Sequence, residues 1–186
     1  MQRRELLQVV GAVALSPLLS PLSAERRLEI GRALHARLGV LSLRVLTPQQ
    51  NAAVVAVAEA IIPRTDTPGA TDARVSEFVD LLLADYYKDE DRATLLKGID
   101  AIDAEAVALG GKSFADSIPN TQHSLLERWD NAESLPETAT AAFKRLKNLT
   151  IYGFFTSEIA VKEVTKPIIF HPAFEGCVPF PAAGAK

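Results

Sequence analysis

The chain has 186 residues, 48% of them hydrophobic and 23% charged, and a formal net charge of −3. These values fit one ordinary globular domain with added segments, and a mildly acidic chain without a basic cluster gives no footing for nucleic-acid binding. One cysteine and three histidines exclude CxxCH haem attachment and any cysteine-rich zinc or iron–sulfur site within the chain, and its ten glycines form neither GxGxxG nor a P-loop, so no cofactor or metal is expected here.

The opening "MQRRELLQVVGAVALSPLLSPLSA" places Arg3 and Arg4 before an uncharged run, Leu6 to Leu22. That run is short for a transmembrane helix, which needs about 20 apolar residues. It suits the apolar segment of an export signal. The paired arginines, followed by Glu5, Leu6 and Leu7, resemble a twin-arginine leader, which carries folded proteins across the bacterial inner membrane. Cleavage after Ala24 would remove Arg3, Arg4 and Glu5 and move the net charge from −3 to −4. An amphipathic first helix and an uncleaved anchor are the alternatives.

Residues 25–46 mix basic and apolar positions without a firm period, and Gly31 and Gly39 weaken a helix there. They read as a partly helical linker with His35 solvated. The helical domain, residues 47–166, begins with Thr47 as N-cap, Pro48 at the first helical position and Gln50 closing a capping box. Pro63 ends that helix at Ile62. Its Ala- and Val-rich faces predict burial by several neighbours.

"RTDTPGATDARV" is a turn in which Asp66 and Asp72 serve turn and capping duty rather than metal ligation, Asp72 capping the next helix. That helix shows one apolar face: Val75, Phe78, Val79, Leu82 and Tyr86. A third, about Asp89 to Leu109, buries Leu95, Ile99, Ile102 and Ala106, turns Asp100, Asp103 and Glu105 to solvent, and stops at Gly110-Gly111. A shorter helix, Thr121 to Asp130, presents Leu125, Leu126 and Trp129, with His123 exposed. The last begins near Pro136, carries Phe143, Leu146 and Leu149, and has Gly153 at a kink or a close contact before Pro167 ends it. No alternating strand pattern occurs. The prediction is all-α: an irregular bundle of five or six helices with an extended Pro/Phe-rich C-terminal arm.

That arm, residues 167–186, reads "PIIFHPAFEGCVPFPAAGAK", and its four prolines forbid a stable helix. Ile168, Ile169, Phe170, Phe174, Val178 and Phe180 carry more apolar surface than a free tail exposes. The arm packs on its own bundle or anchors another protein. Cys177 is either a buried thiol or, in an oxidising compartment, a bond to another chain. Tyr152, Phe154 and Phe155 divide similarly between core and interface. Glu158 can cap, pair with Lys162 four residues on, or touch a partner.

The stretches "LTPQQNAAVVAVAEAIIPRTDTPGATDARVSEFVD", "LLERWD", "LTIYGFFTSEI" and "FEGCVP" together resemble the gluconate 2-dehydrogenase subunit 3 family over roughly Leu46 to Pro179. "IIPRTDTPGA" and "YGFFTSE" are the most specific pieces, and Ala160 stands where a Gly is expected. The resemblance implies a non-catalytic small subunit of a periplasmic, inner-membrane-associated dehydrogenase. In such a complex a large flavoprotein holds FAD and oxidises a sugar or sugar acid, and a multihaem cytochrome c takes the electrons. The small subunit carries the leader, and the flavoprotein crosses the membrane bound to it. Candidate partner-binding residues are Tyr152, Phe154, Phe155, Glu158, Phe170, Phe174, Cys177 and Phe180. The competing classes are a leader-anchored structural or membrane-surface helical protein, and an enzyme acting alone through His171, Glu158 or Cys177.

Overall fold

A computed structural model of the chain describes residues 22–38, 43–131 and 137–165. The leader with Arg3 and Arg4, and the arm with Phe170, Phe174, Cys177 and Phe180, lie outside the described residues. The described residues fold into six α-helices and no strands: α1 Ala24–His35, α2 Pro48–Ile61, α3 Val75–Asp85, α4 Asp89–Gly110, α5 Pro119–Asp130 and α6 Glu137–Phe155. A π-helical segment, Ala160–Thr165, comes after α6. None of these helices is long and apolar enough to cross a membrane.

Local chemistry sets most of the boundaries. Thr47 Oγ1 accepts from the Gln50 N–H and Gln50 Oε1 accepts from the Thr47 N–H, so the predicted capping box opens α2. The helix closes at Ile62, before Pro63. α4 ends on Gly111, whose φ of 72° is the left-handed conformation that glycine adopts without strain.

α6 is the hub. It packs against α2, α3, α4 and α5 and continues into the π-helical segment. The core it organises contains Phe78, Leu82, Ile99, Phe114, Trp129 and Phe143, all essentially inaccessible. Trp129 lies between Phe114 and Phe143, with ring centroids 5.4 and 5.8 Å away. The short helix α5 is held chiefly by this aromatic contact together with Leu125 and Leu126.

Four expectations need correction. First, residues 24–35 form a docked helix rather than a loose linker: Ile30, Gly31 and Leu34 are buried, and His35 is half-buried instead of solvated. Second, Asp103 is only 6% exposed, because the loop after α4 folds back on it. Its carboxylate accepts from the Phe114 N–H at 2.8 Å and from Gln49 Nε2 at 3.0 Å. Third, Tyr86 is 43% exposed and Tyr87 takes the inward place at 6%. α3 stops at Asp85, so helical periodicity no longer governs the residue after it. Fourth, Asp72 does not cap α3; the N-cap position belongs to Arg74.

The connection into α2 depends on an acid inside an apolar face. Asp80 is 2% exposed. Its Oδ1 accepts from the N–H groups of Val45 and Leu46 at 2.9 and 2.8 Å, and its Oδ2 from that of Arg44 at 2.7 Å. At the end of the same helix Asp85 binds Arg37 and Arg44. The Arg37 hydrogen bond, then that of Arg44, hold its carboxyl below the usual range against the opposing effect of burial.

Asp80→Ala is expected to cost about 2–5 kcal/mol, because it leaves consecutive backbone donors unpaired. Asp80→Asn keeps one acceptor oxygen and should cost less. Urea unfolding of the three proteins gives the comparison.

Candidate functional site

The stretch "YGFFTSE" forms the end of α6 and the turn beyond it, and nearly every residue in it has a building role. Tyr152 Oη donates to the Arg27 carbonyl oxygen of α1 at 2.6 Å. Burial is the main cause that pushes its phenol pKa up to about 12, so it stays a neutral donor at any physiological pH. Gly153 is required by close approach: a Cβ there would sit 2.8 Å from Phe78 Cδ1. Phe154 is buried and meets half-buried Phe155 edge-on. Thr156 packs into the notch left by Gly31 of α1, where a Cβ would lie 2.8 Å from the Thr156 Cβ. Ser157 is buried, donates to the Phe154 carbonyl oxygen and accepts from the N–H of Ala160, which opens the π-helical segment.

His35 closes this junction. Its ring stacks on Phe78 at 4.9 Å with planes 20° apart, and Phe78 meets Tyr152 edge-on at 5.2 Å. His35 Nε2 lies 2.8 Å from the Gly153 carbonyl oxygen and 3.2 Å from Thr156 Oγ1. A carbonyl only accepts, so Nε2 carries the proton. Burial lowers the His35 pKa below its ordinary 6.5, partly opposed by the Gly153 hydrogen bond.

"IIPRTDTPGA" builds the neighbouring wall. Glu59 Oε1 accepts from the Arg64 N–H, and Oε2 from the N–H and hydroxyl of Thr71. Asp72 accepts from the Gly69 N–H at 2.9 Å and pairs with Arg64. Asp66 accepts from the neighbouring Thr65 hydroxyl. Both aspartates thus serve the turn. Arg74 leaves it in the left-handed region at φ 56°, a conformation that costs a non-glycine residue about 1–2 kcal/mol. Its guanidinium makes two bonds to Glu77, at 2.9 and 2.7 Å.

These parts enclose an open groove of about 680 Å³ between the end of α1, the Asp72–Arg74 turn and the start of the π-helical segment. Ala36, Leu38, Ala73, Ile159 and Val161 supply apolar lining, while Arg32, Arg74, Lys162, Asp72, Glu158 and Glu163 add charges of both signs. The mixed rim selects neither anions nor cations strongly. A second groove, of about 500 Å³, lies between α4 and α6. Among the described residues no group of three His, Cys, Asp or Glu is placed to hold a metal ion.

Residues 48–176 match the model of the gluconate 2-dehydrogenase subunit 3 family. The chain belongs to that family. No curated protein and no solved structure matches it. Membership in the gluconate 2-dehydrogenase subunit 3 family makes it a small subunit of a gluconate 2-dehydrogenase-like complex and implies association with a dehydrogenase.

Of the residues singled out for partner binding, the structure brings Tyr152 and Phe154 into the core, leaves Phe155 half-buried and exposes Glu158. The Glu158 side chain is 78% exposed and pairs with Lys162, whose hydrogen bond and charge lower the acid's pKa. Sequence reasoning missed Arg32, His35 and Arg74 as groove residues. In the sequence only the glycines at 31 and 153 hint at the close packing of Thr156 and Phe78 around His35, and nothing local marks Arg74.

Protons bind the unfolded chain more readily than native His35, so its contribution to stability is complete above pH 6.5 and declines as the pH falls below that value. Urea unfolding between pH 5.5 and 8 should show this slope. His35→Gln should flatten it while costing about 1 kcal/mol at pH 8 through lost stacking. His123→Gln, at an exposed position beside Glu127, should retain it.

Proposed function

We propose that this chain is the non-catalytic subunit that supports export and stability of a periplasmic flavoprotein dehydrogenase acting on a sugar or sugar acid. Membership in the gluconate 2-dehydrogenase subunit 3 family over residues 48–176 carries the proposal. The paired arginines and apolar run at the N-terminus support it. FAD resides in the large subunit and haem c in a multihaem cytochrome c subunit. A chain with a single cysteine cannot itself attach haem through CxxCH. The finished complex lies at the periplasmic side of the inner membrane.

The physical requirement is a slow off-rate. Twin-arginine transport moves folded cargo, so one leader serves two proteins only if the complex outlasts translocation. Residence time is where affinity differences between interfaces mostly reside. A compact helical domain suits this role because it presents a folded surface before transport begins. Phe174, Cys177 and Phe180 of the arm are the residues proposed to meet the flavoprotein, with exposed Glu158 at the edge of the domain.

Co-expression with the flavoprotein, and then cell fractionation, tests the reading. Arg3→Lys combined with Arg4→Lys should leave both proteins in the cytoplasm and remove most of the periplasmic dehydrogenase activity, about tenfold or more. Normal arrival of the flavoprotein with that variant would overturn the export role.

A further inference from the structure

We propose that the Ala24–Glu25 peptide bond is closed to processing in the folded protein, so that the exported chain keeps Leu22, Ser23 and Ala24. The inference deepens the export reading and rests on it, because twin-arginine transport delivers a domain that is already folded to the peptidase that removes leaders. Ser23 and Ala24 are the small residues that a cleavage site requires. The structure gives them another duty. Ser23 is the N-cap of α1: its hydroxyl accepts from the Arg26 N–H at 3.2 Å and its carbonyl oxygen from the Arg27 N–H at 3.0 Å. The Ala24–Glu25 bond therefore lies in the first turn of a helix, between the cap and the donors it satisfies.

Contacts on both sides of the bond hold that turn to the bundle. Before it, Leu22 is half-buried against the hydrophobic core. After it, the Arg27 carbonyl oxygen accepts from Tyr152 Oη at 2.6 Å, Ile30 and Leu34 are buried, and Gly31 fits closely against Thr156. Proteolysis of a folded segment passes through an opened form, and its rate follows the population of that form when reclosing is fast. Drawing residues 22–26 out as extended chain breaks both Ser23 bonds, takes Leu22 off the core and pulls on the carbonyl that Tyr152 holds. A cut would also place a new α-ammonium at Glu25, beside the positive end of the α1 dipole, where a cation is disfavoured. The exposed side chains of Ala24 and Glu25 do not make the bond accessible, because the backbone around it is committed to the helix and its cap.

Purified leader peptidase in detergent, acting on the folded full chain and on a peptide of residues 12–32, tests the proposal. Cutting at the 24–25 bond should be at least about tenfold slower in the full chain than in the peptide. Ser23→Ala keeps a small residue but removes the cap, and should speed cutting of the full chain about fivefold without changing the peptide. Tyr152→Phe alters nothing near the bond in sequence, so faster cutting of that variant reports the fold alone. Equal rates for full chain and peptide would overturn the proposal, as would a peptide that is not cut there or variants that cut no faster than the parent. The mass of the periplasmic protein gives a second readout. A first residue at or before Leu22 supports the proposal, and one after Leu22 overturns it. The rates with purified peptidase do not depend on export, whereas failure of the export reading shows in where the flavoprotein arrives, so the two failures are distinguishable.

Discussion

Three successive backbone N–H groups, those of Arg44, Val45 and Leu46, converge on one buried carboxylate at Asp80, and this convergence sets the arrangement ahead of α2. An extended segment arriving at a helix has donors that must be satisfied, and an acid buried in the face of α3 satisfies three together. Leu46 is thereby set in the core and Thr47 at the start of α2. Asp85 then takes Arg37 from one side of residues 39–42 and Arg44 from the other. With both flanks tied to α3, α1 meets that helix in the register that lays His35 over Phe78.

The two stretches of sequence that most specifically carry the resemblance turn out to be internal construction. Tyr152, Gly153, Thr156 and Ser157 hold α1, admit Phe78 and begin the π-helical segment. Glu59 and Asp72 hold the turn that ends at Arg74. A motif can identify a family through the joints of its fold, with the working surface made by less distinctive residues around those joints. The groove between those joints is lined in part by apolar positions that would attract no notice individually.

This division also explains what could be read in advance. The α2 capping box, the stop before Pro63 and the Gly111 terminus depend on residues a few positions apart, and local chemistry decides them. The apolar face of α3 was legible as far as Leu82, and the anchors of α5 were legible through Trp129. Asp80, Asp103 and His35 were not. Each satisfies a partner supplied by another element: Asp80 the segment before α2, Asp103 the loop at Phe114, His35 the end of α6. Helical periodicity records which face a residue occupies but carries no information about a distant backbone donor arriving there. The groove was illegible for the same reason, since residues 32–38, 72–74 and 156–163 meet only after folding.

Trp129 is the chain's single tryptophan, fully buried against Phe114 and Phe143. Tyr152, by contrast, reports on the junction with α1 through its bond to the Arg27 carbonyl. The indole and the Tyr152 phenol thus stand in separate districts, while Tyr86 and Tyr87, the other two tyrosines, follow the end of α3. Indole emission tracks the loosening of α5 from the interior, while the ultraviolet absorbance of Tyr152, isolated by Tyr86→Phe and Tyr87→Phe, senses α1 lifting away. An optical experiment can therefore tell partial opening at the groove from collapse of the whole bundle without any added label.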